Sequence, residues 1–111
     1  MGEIIMKSII LSIAAVAGLA FAGNALSVEM PAVAKKNGCT SCHSIDKKLV
    51  GPAWQAVADK YKGDSTAADK LAAKIAKGGS GVWGPVPMPA QPKLSEADNK
   101  EMVAFIMGLA K

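Results

Sequence analysis

The run Cys39-Thr40-Ser41-Cys42-His43 reads C-x-x-C-H, the attachment signature of a c-type haem. Two thiols three positions apart reach one edge of a planar macrocycle and add across its two vinyl groups, leaving thioethers that do not dissociate. His43, next in line, is then held beneath the iron and offers an imidazole nitrogen as an axial ligand. Three other chemistries use parts of the same run. A zinc site needs two further thiol or imidazole ligands to close a tetrahedron, yet the chain has two Cys and one His, all inside this run. A thioredoxin-like dithiol, with a thiol pKa lowered by a basic neighbour, needs a βαβ setting, and there is no strand run to build one. A plain structural disulfide leaves His43 without a part. Only haem attachment uses all three residues.

Upstream, Lys7 precedes an apolar run from Ile9 to Ala22, followed by small residues at Ala20-Phe21-Ala22 and Gly23-Asn24-Ala25. This is the n-region, h-region and cleavage site of a secretory signal, with cleavage after Ala22 or Ala25. An uncleaved anchor is the alternative, but a spanning helix wants about 20 apolar residues and this run has 14. Met6-Lys7-Ser8 is itself a natural signal start, which makes Met1 to Ile5 an upstream extension. The sixth position lacks the Ser or Thr of a myristoylation signal. The chain therefore divides into a signal peptide over 1–25 and one domain over 26–111, with no stable membrane insertion once the leader is removed.

That domain holds 16 Leu, Ile, Val and Phe among its 86 residues, just under a fifth. A chain of this size is then too poor in large apolar groups to close its own core. A buried porphyrin supplies the missing interior, as metals and disulfides do in other small scaffolds, and the apoprotein is expected to be largely unfolded. All 13 basic residues are Lys. They are scattered, two adjacent pairs and the rest single, which reads as a solvated face, with a basic surface steering the chain to an acidic partner as the alternative. No block of charge forms a nucleic-acid stripe.

In chain order, Glu29-Met30-Pro31 opens a short helix with Met30, Val33 and Ala34 on one face, ended by Asn37-Gly38. Gly51-Pro52 introduces a second run, Trp54, Val57, Ala58 and Tyr61, stopped by Lys62-Gly63. The Gly51-Pro52 step reads in two ways: the Pro52 carbonyl takes the second ring N–H of His43, or the step is only a helix-starting turn. Ser65 or Thr66 caps a third helix carrying Ala68, Leu71, Ala72, Ile75 and Ala76 on one face. From Gly78 to Pro92, four glycines and four prolines forbid a regular helix or central strand. Ser95 with Asp98 starts the last helix, whose stripe is Met102, Val103, Phe105, Ile106 and Leu109. No alternating strand is predicted anywhere.

With one His spent, the second axial position needs a soft ligand or stays open. Met30, Met102 and Met107 lie on helices, where Met is most often packing. Met88 stands alone in Pro85-Val86-Pro87-Met88-Pro89, where prolines cut the entropy cost of holding a thioether in place. It is the predicted ligand, and a hydrophobic plug over an open iron is its alternative. His/Met ligation saturates the iron and raises its potential.

Together, C-x-x-C-H, Val50-Gly51-Pro52-Ala53-Trp54, Gly81-Val82-Trp83-Gly84-Pro85-Val86-Pro87-Met88-Pro89 and the amphipathic C-terminal helix resemble the small bacterial class I cytochromes c of the c-551/c-552 type. The resemblance spans essentially the whole mature chain. It implies an all-α fold of about four short helices wrapped round one haem c, with the helices near both termini crossing. It also implies that Cys39 and Cys42 form the thioethers, that His43 and Met88 are the axial ligands, and that the Pro52 carbonyl accepts from His43. Trp83 would donate its indole N–H to a haem propionate, a packed aromatic being the plainer role. Two positions depart from the pattern: Gln91 stands where Asn is frequent, and Trp54 where Tyr is frequent, a change expected to affect packing more than chemistry.

What the resemblance implies for function is a monomeric periplasmic electron carrier rather than an enzyme, since haem attachment in bacteria takes place outside the cytoplasmic membrane. Partners would be redox proteins docking transiently at the thioether edge, through apolar residues ringed by Lys. Nitrite reductases or terminal oxidases are the expected acceptors and quinol-oxidising complexes the expected donors. A haem-based gas-binding or sensor module, in which Met88 does not ligate, is the rival from another class.

Overall fold

The computed structural model describes residues 28–111; the leader expected over 1–25 and its cleavage positions lie outside the described residues. Four helices, α1 (Ala32–Lys36), α2 (Trp54–Tyr61), α3 (Ala67–Lys77) and α4 (Glu96–Met107), are joined by a 3₁₀ turn at Cys39–Ser41 and a ribbon of β1 (Gly79–Gly81) and β2 (Gly84–Met88).

Helix α4 organises the packing, because α1, α2 and α3 all pack against it. Its stripe is wide enough to need three partners: Met102, Val103 and Ile106 are buried within it, Leu109 is buried just past its end, and Phe105 is half-buried. Facing them are Val33 and Ala34 of α1, Trp54, Val57 and Ala58 of α2, and Leu71 of α3. Ala34 and Ala58 are fully buried, and their small side chains let the helix backbones come close. Polar ties fix both ends of α4. Ser95 Oγ accepts from the Asp98 amide at 3.1 Å, the predicted cap, and Asp98 Oδ2 accepts from Lys36 Nζ and Asn37 Nδ2 at 3.4 Å. Beyond the other end, Gln55 Nε2 of α2 donates to the Leu109 carbonyl.

The start of α3 differs from expectation. Thr66 occupies the N-cap position, but its side chain does not cap. Its hydroxyl and amide instead donate to Asp64 Oδ1 at 2.7 and 2.8 Å, while Lys70 Nζ lies 2.9 Å from Asp64 Oδ2. A cap needs the hydroxyl oxygen to accept from a backbone N–H; donation to the charged carboxylate turns it toward Asp64 instead. Lys70 first, then Thr66, hold the Asp64 carboxyl well below the usual carboxylate range. The buried face of α3 is also rotated from the predicted one. Ala67 and Leu71 are buried, whereas Ala68 and Ala76 are exposed. Alanines carry too little apolar area to orient a helix, so the single Leu71 decides.

The Gly- and Pro-rich stretch, for which no strand is predicted, forms an antiparallel ribbon that pairs Gly79 with Met88 and Gly81 with Gly84. A two-stranded ribbon has only edges, where proline is tolerated. Gly84 and Met88, the matched residues, keep their N–H groups, and Pro85 and Pro87 between them have none to lose. The ribbon leaves α3 through Gly78, where φ is +69° and an added Cβ would stand 2.3 Å from the Met88 carbonyl oxygen. Only glycine permits that approach, which brings the segment carrying Met88 back against the end of α3.

Candidate functional site

The 3₁₀ turn winds Cys39 to Ser41 tightly: the amides of Cys42 and His43 both donate to the Cys39 carbonyl, at 3.2 and 3.0 Å. Cys39, Cys42 and His43 then line one cleft. The thiols are not joined to each other. Cys39 packs against the core, and burial pushes its thiol pKa up, the opposite of the lowered pKa that a dithiol redox centre relies on. Among the described residues no three His, Cys, Asp or Glu come together as a metal-holding group.

His43 is held by its neighbours in sequence and in space. Nδ1–H donates to the Pro52 carbonyl oxygen at 2.8 Å. A carbonyl only accepts, so the proton sits on Nδ1 and Nε2 keeps its lone pair. The loop that carries Pro52 is tied back by Gly51 N to the Cys42 carbonyl at 2.8 Å and Trp54 N to the Ser44 carbonyl at 3.0 Å. Gly51 lies so close to the ring that an added Cβ would stand 2.5 Å from His43 Cε1 and 2.9 Å from Nδ1. Gly51→Ala is therefore expected to displace the ring from Pro52 and to cost about 1–3 kcal/mol, the usual range for overpacking. Thermal unfolding of the holoprotein checks this; an unchanged Tm would show that the ring has room to move.

Met88, half-buried at the end of β2, and Trp83, in the turn between the strands, reach the same cleft from the opposite end of the sequence. Trp83 remains 43% exposed, with Lys60 Nζ 5.7 Å from its ring centre, within cation–π range. Gln91 also lines the cleft, but its Nε2 donates to the Pro89 carbonyl at 3.3 Å, so its amide is engaged within its own loop.

All six residues singled out from sequence, Cys39, Cys42, His43, Pro52, Trp83 and Met88, thus line one cleft of about 370 Å³. Its walls include Val50, Leu71, Ile75 and Val86 together with Met102 and Ile106, and its charged lining residues are Lys48 and Lys74, with no carboxylate. The donor set and walls fit a haem: thiols for its vinyl groups, an imidazole nitrogen and a thioether for its iron, apolar walls for its rings and ammonium groups for its propionates. Sequence reasoning did not single out Lys48 and Lys74 for this cleft. Lys74 lies three residues beyond Leu71 and so on the same helical face, a signal that becomes readable only once that face is known to line the site. Nor did it give Trp54 a part in the site, although its ring stacks on His43.

Known proteins resemble this chain in sequence and in fold. The family described as Cytochrome c matches residues 29–110. A cytochrome c-551 from Allochromatium vinosum is 51% identical over 77 residues, covering 69% of this chain and 82% of the relative. A cytochrome c-552 from Hydrogenobacter thermophilus is 43% identical over 103 residues, covering 93% of this chain and 97% of the relative. Among solved structures, wild-type Nitrosomonas europaea cytochrome c552 superposes with a TM-score of 0.68 at 47% identity, covering 69% of this chain and 95% of that one.

Proposed function

Because this chain belongs to the cytochrome c family, as a small class I monohaem member of the c-551/c-552 type with the helical fold of that class, we propose that it carries single electrons in the bacterial periplasm. Family membership brings a covalently bound haem c. In our reading Cys39 and Cys42 would hold it as thioethers, and His43 and Met88 would ligate its iron. The observation that carries this reading is the convergence of those four side chains on one apolar cleft, with His43 Nε2 left free by the Nδ1–H bond to Pro52.

The bound haem supplies a reversible one-electron couple. The chain's own groups set the conditions for it. Pro52 keeps the Nδ1 proton in place, so His43 presents a strong nitrogen donor. Met88 offers a neutral, soft sulfur, which favours the reduced metal and raises the potential. Leu71, Ile75, Met102 and Ile106 give the same cleft apolar walls. Lys74 and Trp83 offer an ammonium and an indole N–H to the propionates.

Docking belongs to the face beside Cys42. Leu49 and Val50 are exposed there at 48% and 58%, next in sequence to the exposed Lys47 and Lys48. A small apolar patch ringed by ammonium groups suits brief contact with an acidic redox protein. Quinol-oxidising complexes are the proposed donors, and nitrite reductases or terminal oxidases the proposed acceptors. The leader over 1–25 would direct export and be removed, leaving 26–111. Among the described residues, no helix is long and apolar enough to cross a membrane.

The test is the secreted form made in a host with haem-attachment machinery. Its mass is expected to exceed that of the cleaved chain by one haem, and its spectra in both oxidation states to be low-spin with a sulfur-to-iron charge-transfer band. A mass without that increment removes the carrier reading. A high-spin ferrous spectrum that shifts readily with carbon monoxide favours a gas-binding module instead.

A further inference from the structure

The geometry points to Trp54 as a positioning residue that sets the rotation of the His43 imidazole. The inference rests on His43 being an axial ligand, as proposed above.

Three contacts bear on that ring, and two of them leave one motion free. The Nδ1–H bond to Pro52 fixes a single point on the ring edge. Gly51 lies close against the Cε1 side of the ring but, without a side chain, presents only its backbone there. An imidazole hydrogen-bonded at Nδ1 still rocks about its Cβ–Cγ bond, because a hydrogen bond to a carbonyl tolerates a broad spread of angles. A surface against the ring face is needed to stop the rocking. Trp54 supplies it: the two rings lie 5.4 Å apart, centre to centre, and 18° from parallel, in an offset stack.

The stacking partner is itself immobile. Trp54 is 3% exposed and opens α2, with its amide bonded to the Ser44 carbonyl at 3.0 Å. Its indole meets Phe105 of α4 edge-on, with centres 5.9 Å apart and planes at 83°. The orientation of His43 is thereby referred to α4, on which the other helices pack. Two rings and a helix stand behind the one nitrogen offered to the metal. The plane of an axial imidazole selects which iron d orbital its π system overlaps, so the distribution of unpaired spin over the haem reports that plane directly.

The test uses oxidised holoprotein and paramagnetic NMR, comparing the wild type with Trp54→Leu, Trp54→Phe and Val103→Ala. Trp54→Leu keeps apolar bulk but removes the flat face. It is expected to change the spread of the four haem-methyl shifts and to speed exchange of the His43 Nδ1 proton about threefold to tenfold, the population change that losing an aromatic pair implies. Trp54→Phe restores a face, and should hold exchange within about twofold of wild type on the same scale. Val103→Ala empties a buried site on α4 outside the cleft; it should lower the Tm and leave both His43 readouts unmoved. Trp54→Leu with wild-type methyl shifts and exchange, or Val103→Ala moving them as far, would overturn the assignment. Wild-type protein with no hyperfine-shifted His43 resonances would sink it too, and would place the fault in the ligation reading rather than in the stack. Should Trp54→Leu not accumulate, Phe105→Leu, which frees the indole edge, is expected to shift the same readouts in the same direction by a smaller amount.

Discussion

A chain carrying Cys39→Ala and Cys42→Ala, produced where haem attachment is possible, is expected to emerge colourless and to lose most of its helical circular dichroism. The cleft bordered by these cysteines measures about 370 Å³. At about 24 cal/mol per Å³ of cavity, leaving it unfilled costs up to about 9 kcal/mol. The figure is an upper bound, because an open cleft admits water. A small domain has about 5–15 kcal/mol of stability in all, so the loss is of the same order as the whole. The residues exposed by the loss are also those on which the helices pack. Trp54, Val57, Leu71, Met102 and Ile106 belong both to the core and to the cleft wall. Circular dichroism of the purified variant checks this, and a stable helical chain without haem would show that the protein interior closes unaided.

Met88→Ala should leave the haem attached, since thioethers do not depend on the axial sulfur, and should lower the reduction potential by on the order of 0.2 V. Axial ligation spans roughly 0.8 V across haem proteins, and a neutral thioether lies toward its upper end. Water or a stronger donor in its place favours the oxidised state, and each 59 mV is a tenfold change in a one-electron equilibrium. Met88 is half-buried at the end of a ribbon that closes on Gly78 through backbone contacts, so its truncation should disturb the fold far less than the loss of the cysteines. Redox titration with carbon monoxide difference spectra measures both effects. A potential equal to that of wild type would assign the second ligand to another residue.

Expectation and structure part company where the controlling contact is distant. The rotation of α3 illustrates this. Ala68, Leu71, Ala72, Ile75 and Ala76 form a plausible apolar face, yet α4 accepts only the sector centred on Leu71 and leaves Ala68 and Ala76 outside. Periodicity reports that a helix has an apolar side, and the partner surface decides how much of that side it covers. Asp64 likewise turns the hydroxyl of Thr66 from the helix end, because the carboxylate two residues upstream takes it as a donor and the cap would need it as an acceptor. The ribbon escaped notice because its glycines and prolines lack any alternating pattern, and its pairing needs no buried face.

What the order of residues alone determined is the chemistry that needs only neighbours in the chain: thiols and imidazole within five consecutive positions, the helix spans with the Ser95 cap of the last one, and a methionine isolated among prolines. Folding was required to decide everything that depends on approach from elsewhere. The Pro52 carbonyl reaches Nδ1 from nine residues away, Trp54 stacks offset against His43, and α3 brings Lys74 to the wall of the cleft. Short-range signals survive in a linear string because steric and covalent constraints act between adjacent residues. Orientation across a cleft does not, because it is set by which faces α4 can bury at once.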